Sequence, residues 1–143
     1  MVPHFIVQCS KDTRATSAVE FAIVAPVFIL IMFGIVAYGI FFGAANSVQQ
    51  LAADAARASI AGLGEDERIQ LAQRFIDLNT ANYPLLQSRK VKVRVAGSAA
   101  DANQFDVSVE YDATQLPIWN LYVPLPLPEK TITRSATIRV GGV

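Results

Sequence analysis

Glu20 is the only charged side chain between Arg14 and Asp54, and everything from Phe21 to Ala53 is uncharged. An ionised carboxylate costs about 2.5–3.5 kcal/mol at the centre of a membrane helix on insertion scales, and less near the interface. A carboxylate in this place can meet a partner cation, or it can lie unpartnered among lipid headgroups. Other reactive groups are scarce. Cys9 is the only cysteine and His4 the only histidine, and both precede the apolar stretch. The chain beyond residue 46 therefore holds no thiolate and no imidazole, which excludes Cys/His zinc sites, Ser-His-Asp triads and Cys-His dyads there. A Ser-Lys or carboxylate-only site stays open in principle, but no spacing points to one. GxGxxG, Walker and EF-hand signatures are absent. The expectation is a protein that is not an enzyme, with no metal and no cofactor.

Composition narrows the partners. Of 143 residues, 52% are hydrophobic and 17% charged, with a mean hydropathy of +0.36. That is too apolar for a disordered chain, and one modest domain plus a membrane segment fills the length. Twelve basic and twelve acidic side chains cancel. No broad basic field exists to attract nucleic acid, so none is expected. Lys90, Lys92 and Arg94 form a local basic run, but valines alternate with them and the run reads as the wet face of a strand.

The elements follow from hydrophobic period. Phe21 to Ala45 is an uncharged run of 25 residues, roughly 38 Å as a helix against a hydrocarbon core of about 30 Å. Pro26 near its start removes one backbone donor and permits a kink. Lys11 and Arg14 lie close ahead, whereas the next basic residue is Arg57. Positive-inside asymmetry keeps the N-terminus cytoplasmic and sends the rest across. A cleaved secretory signal is the plainer alternative, since Gly43, Ala44 and Ala45 could serve a signal peptidase. Its apolar core would usually run only about 7–15 residues.

Past Ala45 the pattern turns amphipathic without a proline, so one long helix is expected from about Ser17 to Ala61. Gly62 and Gly64 would end it. Gly39, Gly43 and Ser47 form a small-residue stripe that lets helices approach closely in lipid. The alanine face at Ala52, Ala55 and Ala56 continues it, favouring packing of the whole helix against other helices.

Glu65, Asp66 and Glu67 open a second helix on the side its dipole favours. Ile69, Ala72, Phe75, Ile76 and Asn79 mark its inner face, and Tyr83-Pro84 closes it. Strict alternation in Lys90–Val95 and in Phe105–Asp112 then reads as an antiparallel hairpin with cations facing acids across strands. Four prolines between Leu116 and Pro128 predict an extended loop rather than a helix or central strand. Trp119 and Tyr122 in that loop either cap the fold or form a candidate subunit contact. A last strand is expected over Thr131–Val140, with Arg134 on its apolar face, either at a sheet edge or paired inside. The fold class is α+β: a long N-terminal transmembrane-plus-amphipathic helix, a second helix and a small antiparallel sheet.

The run Arg14-Ala15-Thr16-Ser17-Ala18-Val19-Glu20-Phe21-Ala22-Ile23-Val24-Ala25-Pro26 resembles the N-terminal signature of TadE-like proteins, pseudopilins of the bacterial Tad (tight adherence, Flp-type) pilus system. Leu51 to Ala58 resembles that family's Ala-Arg-rich juxtamembrane helix. The resemblance is specific over about residues 14 to 62, and beyond them only the general pilin-like shape agrees. It implies that a prepilin peptidase cuts between Ala15 and Thr16 on the cytoplasmic side. The family usually has glycine where Ala15 stands, so slower processing is implied. Glu20 would become the fifth residue of the mature chain, with Phe21 and Pro26 completing the recognition and assembly signature. It would then pair with the new amine of Thr16 or of a neighbouring subunit. At about 4 Å and an effective dielectric of 20 such a pair gains roughly 4 kcal/mol before desolvation is subtracted.

The expected organisation is a removable leader over 1–15, a transmembrane helix over 16–45, its continuation outside the membrane over 46–64, and a periplasmic α+β domain over 65–143. Partners implied by the resemblance are the prepilin peptidase, other pilin or pseudopilin subunits, the pilus assembly platform and the inner-membrane bilayer. The function implied is assembly of a Tad-type pilus or related secretion filament. The alternative is an uncleaved single-pass envelope protein whose periplasmic domain recruits a partner.

Overall fold

The computed structural model describes residues 13–97, 103–121 and 126–139. Helix α1 runs unbroken over Thr13–Ser59 with Pro26 inside it. Its lower half is apolar on every side and uncovered: Val19, Phe21, Ile23, Val24, Val27, Phe28, Ile31 and Ile35 are all exposed. Among the described residues this is the one helix long and apolar enough to cross a membrane. Its upper half is different. Ala44, Val48, Leu51, Ala52, Ala55 and Ala56 recur at three- and four-residue spacing and are fully buried, which is one helical stripe turned into a core. The helix ends two residues short of Ala61. There the Ser59 hydroxyl donates to the Ala56 carbonyl at 2.6 Å, and the Gly62 N–H donates to the Ser59 carbonyl at 3.0 Å. Gly62 has a steric reason to be glycine, since a Cβ there would stand 2.8 Å from the backbone nitrogen of Arg68.

Helix α2, Glu65–Asn79, folds back on α1 and buries Ala72 and Ile76. Glu67 reaches back to accept the Leu63 N–H at 2.8 Å, satisfying one of the free donors that precede a helix. At the far end the Thr80 hydroxyl donates to the Ile76 carbonyl at 2.6 Å, a short 3₁₀ turn covers Thr80–Asn82, and Tyr83-Pro84 leads away.

Strands β1 (Val91–Gly97), β2 (Gln104–Asp112) and β3 (Thr131–Arg139) form one antiparallel sheet in that order. In the β1–β2 register Val91, Val93 and Val95 face Tyr111, Val109 and Val107. Lys92 lies opposite Glu110, as the charge alternation predicts. Arg94 instead meets Ser108, so it has no acid directly across. Phe105, Val107, Val109 and Tyr111 of β2 are buried, and α1 packs on the sheet. Arg134 sits opposite Val109 on edge strand β3, half-buried, with its guanidinium donating to the Thr133 carbonyl at 2.8 Å. Of the two expected settings, the sheet edge is the observed one.

The proline-rich segment departs from the extended loop. Pro117 opens a 3₁₀ turn over Pro117–Asn120, which costs nothing because the first turn of a helix leaves its N–H groups unbonded anyway.

Candidate functional site

The residues singled out for processing and assembly lie along α1. Ala15 and Thr16 fall in its first turn. A protease cleft takes extended backbone, so a cut there requires that turn to unwind, which helix ends do readily. Glu20 and Phe21 are exposed one turn higher, and Pro26 lies on an exposed face without interrupting the helix. Among the described residues Glu20 has no ion-pair partner. Its carboxylate is thus presented outward from a bare apolar rod.

The small-residue stripe divides into two parts. A Cβ at Gly39 would meet nothing within 4 Å, so this position is open to another helix. At Gly43 the space is taken: a Cβ would stand 3.2 Å from Cδ1 of Leu85. Ser47 is buried. The upper stripe, with Ala52, Ala55 and Ala56, therefore packs within the chain's own fold rather than being free for a neighbour.

Leu85 has φ 67°, the left-handed region that a branched side chain rarely enters, at a cost of about 1–3 kcal/mol. Its place is held from two sides. The side chain rests on Gly43, and its carbonyl accepts the Tyr111 hydroxyl at 2.9 Å. Burial, ahead of the nearby Asp112 charge, pushes the Tyr111 phenol up, which keeps it a neutral donor. Locally Leu85 is the third residue of a turn that Pro84 opens and the Leu86 N–H closes on the Tyr83 carbonyl at 3.3 Å, a corner usually given to glycine or asparagine.

Trp119 is half-buried. Its indole N–H donates to the Ala113 carbonyl at 2.7 Å, and the Lys130 ammonium lies 5.5 Å from the ring centroid. These contacts are those of a cap on the fold. Tyr122, its companion in the expectation of a subunit contact, lies outside the described residues, as do His4 and Cys9. Among the described residues no group of three His, Cys, Asp or Glu side chains comes together to hold a metal.

What these features share is the helix: a bare apolar lower half headed by an acid, and an upper half built into an α+β domain. Residues 15–57 match the family model of TadE-like proteins. No curated protein and no solved structure matches the chain. The TadE-like segment covers α1 almost end to end, from Ala15 through Glu20, Pro26, Gly39, Gly43 and Ser47 to Arg57. It stops before α2, so the part of the chain that covers the upper stripe lies outside the TadE-like match.

Proposed function

We propose that the chain is a membrane-anchored, TadE-like minor pilin or pseudopilin that acts in assembly of a Tad-type pilus or related secretion filament. The observation that carries this reading is the TadE-like match along a helix whose lower half is bare, apolar and headed by an exposed Glu20. In this reading the lower half of α1 spans the inner membrane with the N-terminus cytoplasmic, and the α+β domain faces the periplasm. Prepilin peptidase removes residues 1–15. Glu20 then pairs with the amine of Thr16, its own or that of a neighbouring subunit, as the helix enters a bundle. Gly39 is the open position at which another helix comes close.

The test is Glu20→Ala in cells. The variant should reach wild-type levels in the membrane fraction and fail to support pilus assembly. Normal piliation at wild-type protein level would remove the role given to Glu20. Mass spectrometry of the extracted protein separates the two readings: a chain beginning at Thr16 supports the pseudopilin, and an intact leader supports the uncleaved envelope protein.

A further inference from the structure

The folded domain begins on α1 before the bilayer has ended. About 20 helical residues cross a hydrocarbon core of about 30 Å. Counted from Phe21, just above the Glu20 carboxylate, that length runs to about Ile40. Yet the fold starts to cover the helix earlier. Ala37 is its first buried residue, and the Tyr38 hydroxyl donates to the Pro126 carbonyl at 2.5 Å. Leu85 reaches α1 at Gly43, barely one turn above Ile40.

The domain therefore has no stalk. Sliding the helix upward would free the domain only by drawing Glu20 into hydrocarbon, at a cost that grows with depth. Tilting shortens the helix along the membrane normal and pulls the domain further in.

The residues at this level suit that position. Phe42 and Leu85 are exposed, Tyr38 and Phe41 are half-exposed beside them, and none carries a charge. A tyrosine such as Tyr38 settles where acyl chains give way to headgroups, and the uncharged apolar residues beside it tolerate the same level. By contrast the outer face of the sheet carries Lys92, Arg94 and Glu110, and the turn between α1 and α2 leads into Glu65, Asp66 and Glu67.

We infer that the underside of the domain, a collar formed by Tyr38, Phe42, Leu85 and Pro126, is seated in the lipid interface, so that the domain docks on the membrane that its own helix crosses. The occupant of this apolar collar is the bilayer surface, not another protein. This inference rests on the membrane-spanning part of the proposed function and is independent of cleavage and of pilus assembly.

Nitroxide labels in proteoliposomes of phosphatidylethanolamine and phosphatidylglycerol test it. In a Cys9→Ser background, single cysteines replace Val27, Phe42, Leu85, Pro126 and Leu63, and each label is read for collisions with oxygen and with a water-soluble nickel chelate. Val27 reports the span itself, and Leu63, 92% exposed in the α1–α2 turn, reports water. The decisive labels are Leu85 and Pro126, which belong to the domain rather than to the helix. Their oxygen-to-nickel ratio should exceed that at Leu63 by severalfold and fall below that at Val27. If either label perturbs the fold, the other still gives the depth. Ratios at both domain sites equal to that at Leu63, with Val27 deep, overturn the inference and leave the span intact. A water-exposed Val27 overturns the span and the inference together.

Discussion

The Tyr83 hydroxyl donates to Oδ2 of Asp54 at 2.7 Å, while Arg57 pairs with Oδ1 of the same carboxylate at 2.6 Å. This contact ties the segment after α2 to the upper half of α1, and it sits on a side of α1 that the buried alanines leave open. Removing it should loosen the domain without unseating the helix. Tyr83→Phe should destabilise the detergent-solubilised protein by about 0.5–1.5 kcal/mol in thermal unfolding. The low end applies, since Asp54 keeps Arg57 and water. The phenol also carries a pH signature: burial first, then the hydrogen bond and charge of Asp54, push it up to about 12. A raised value means that the neutral phenol is favoured on folding. Its contribution is whole below the ordinary tyrosine value of about 10 and is lost as pH rises above it. Asp54→Asn should bring the titration, followed by phenolate absorbance against Tyr83→Phe, only part of the way back, because burial remains. Full return to the ordinary value would contradict that ordering of causes.

Gly43 and Gly39 look alike in the sequence and should behave differently. The end of Leu85 can give by a few tenths of an ångström, so Gly43→Ala should fold normally. Gly43→Leu has to displace Leu85, whose carbonyl anchors Tyr111, and should cost about 1–3 kcal/mol as overpacking does. A Cβ at Gly39 meets nothing within 4 Å, so Gly39→Leu should not lower the thermal midpoint. If Gly39 serves contact between subunits, cross-linking of neighbouring copies in membranes should drop in that variant alone. Equal loss of stability at both positions would refute the division of the stripe.

Asp112, the last residue of β2, ties that strand to Lys90, just before β1. It accepts from Lys90 Nζ at 2.7 Å and from the Thr114 N–H at 3.0 Å. The Lys90 hydrogen bond, then those from Thr114, hold its carboxyl well below the usual aspartate range. A depressed value contributes stability above the ordinary aspartate value of about 3.9, and the contribution fades as pH falls through and below it. Asp112→Asn should therefore melt lower than wild type at neutral pH, and the two proteins should converge in acid. Melting curves that stay parallel down to strongly acid pH would show that the pair has no linkage to folding.

Much of the fold was legible because it depends on local period. Lys92 lies opposite Glu110, and the valines of β1 oppose Val107, Val109 and Tyr111, since strict alternation excludes any one-residue slip, which would turn the apolar face outward. The acidic run placed the start of α2 at Glu65, where it is found. Helix α1 ends two residues before Ala61, where the Ser59 hydroxyl makes a contact that hydropathy does not encode. Pro117 predicts an extended loop by its type, yet it initiates a 3₁₀ turn; its locked φ suits either role, and only the neighbouring packing selects one.

The candidate site was less legible. The stripe from Gly39 through Ser47 to Ala56 advertises a surface made for close approach, but small residues do not name what approaches. The upper part is covered by the chain's own sheet, α2 and Leu85. Leu85 was only half legible: Pro84 marks the turn that the Leu86 N–H closes on the Tyr83 carbonyl, but a leucine at its left-handed corner is unusual, and the contacts with residues 43 and 111 are long-range.

By itself the sequence determined the apolar span, the placement of Glu20 at its head, the order of helices and strands, and the alternation that sets which faces of β1 and β2 share the core. These are consequences of backbone geometry acting over a few residues at a time. Only the tertiary structure decided which small residues of α1 are spent inside the chain and which stay open, where Arg134 sits in the sheet, and how low on the helix the domain begins. Those depend on loops closing between residues far apart in the chain, such as Tyr38 with Pro126 and Gly43 with Leu85, and no local period carries that information.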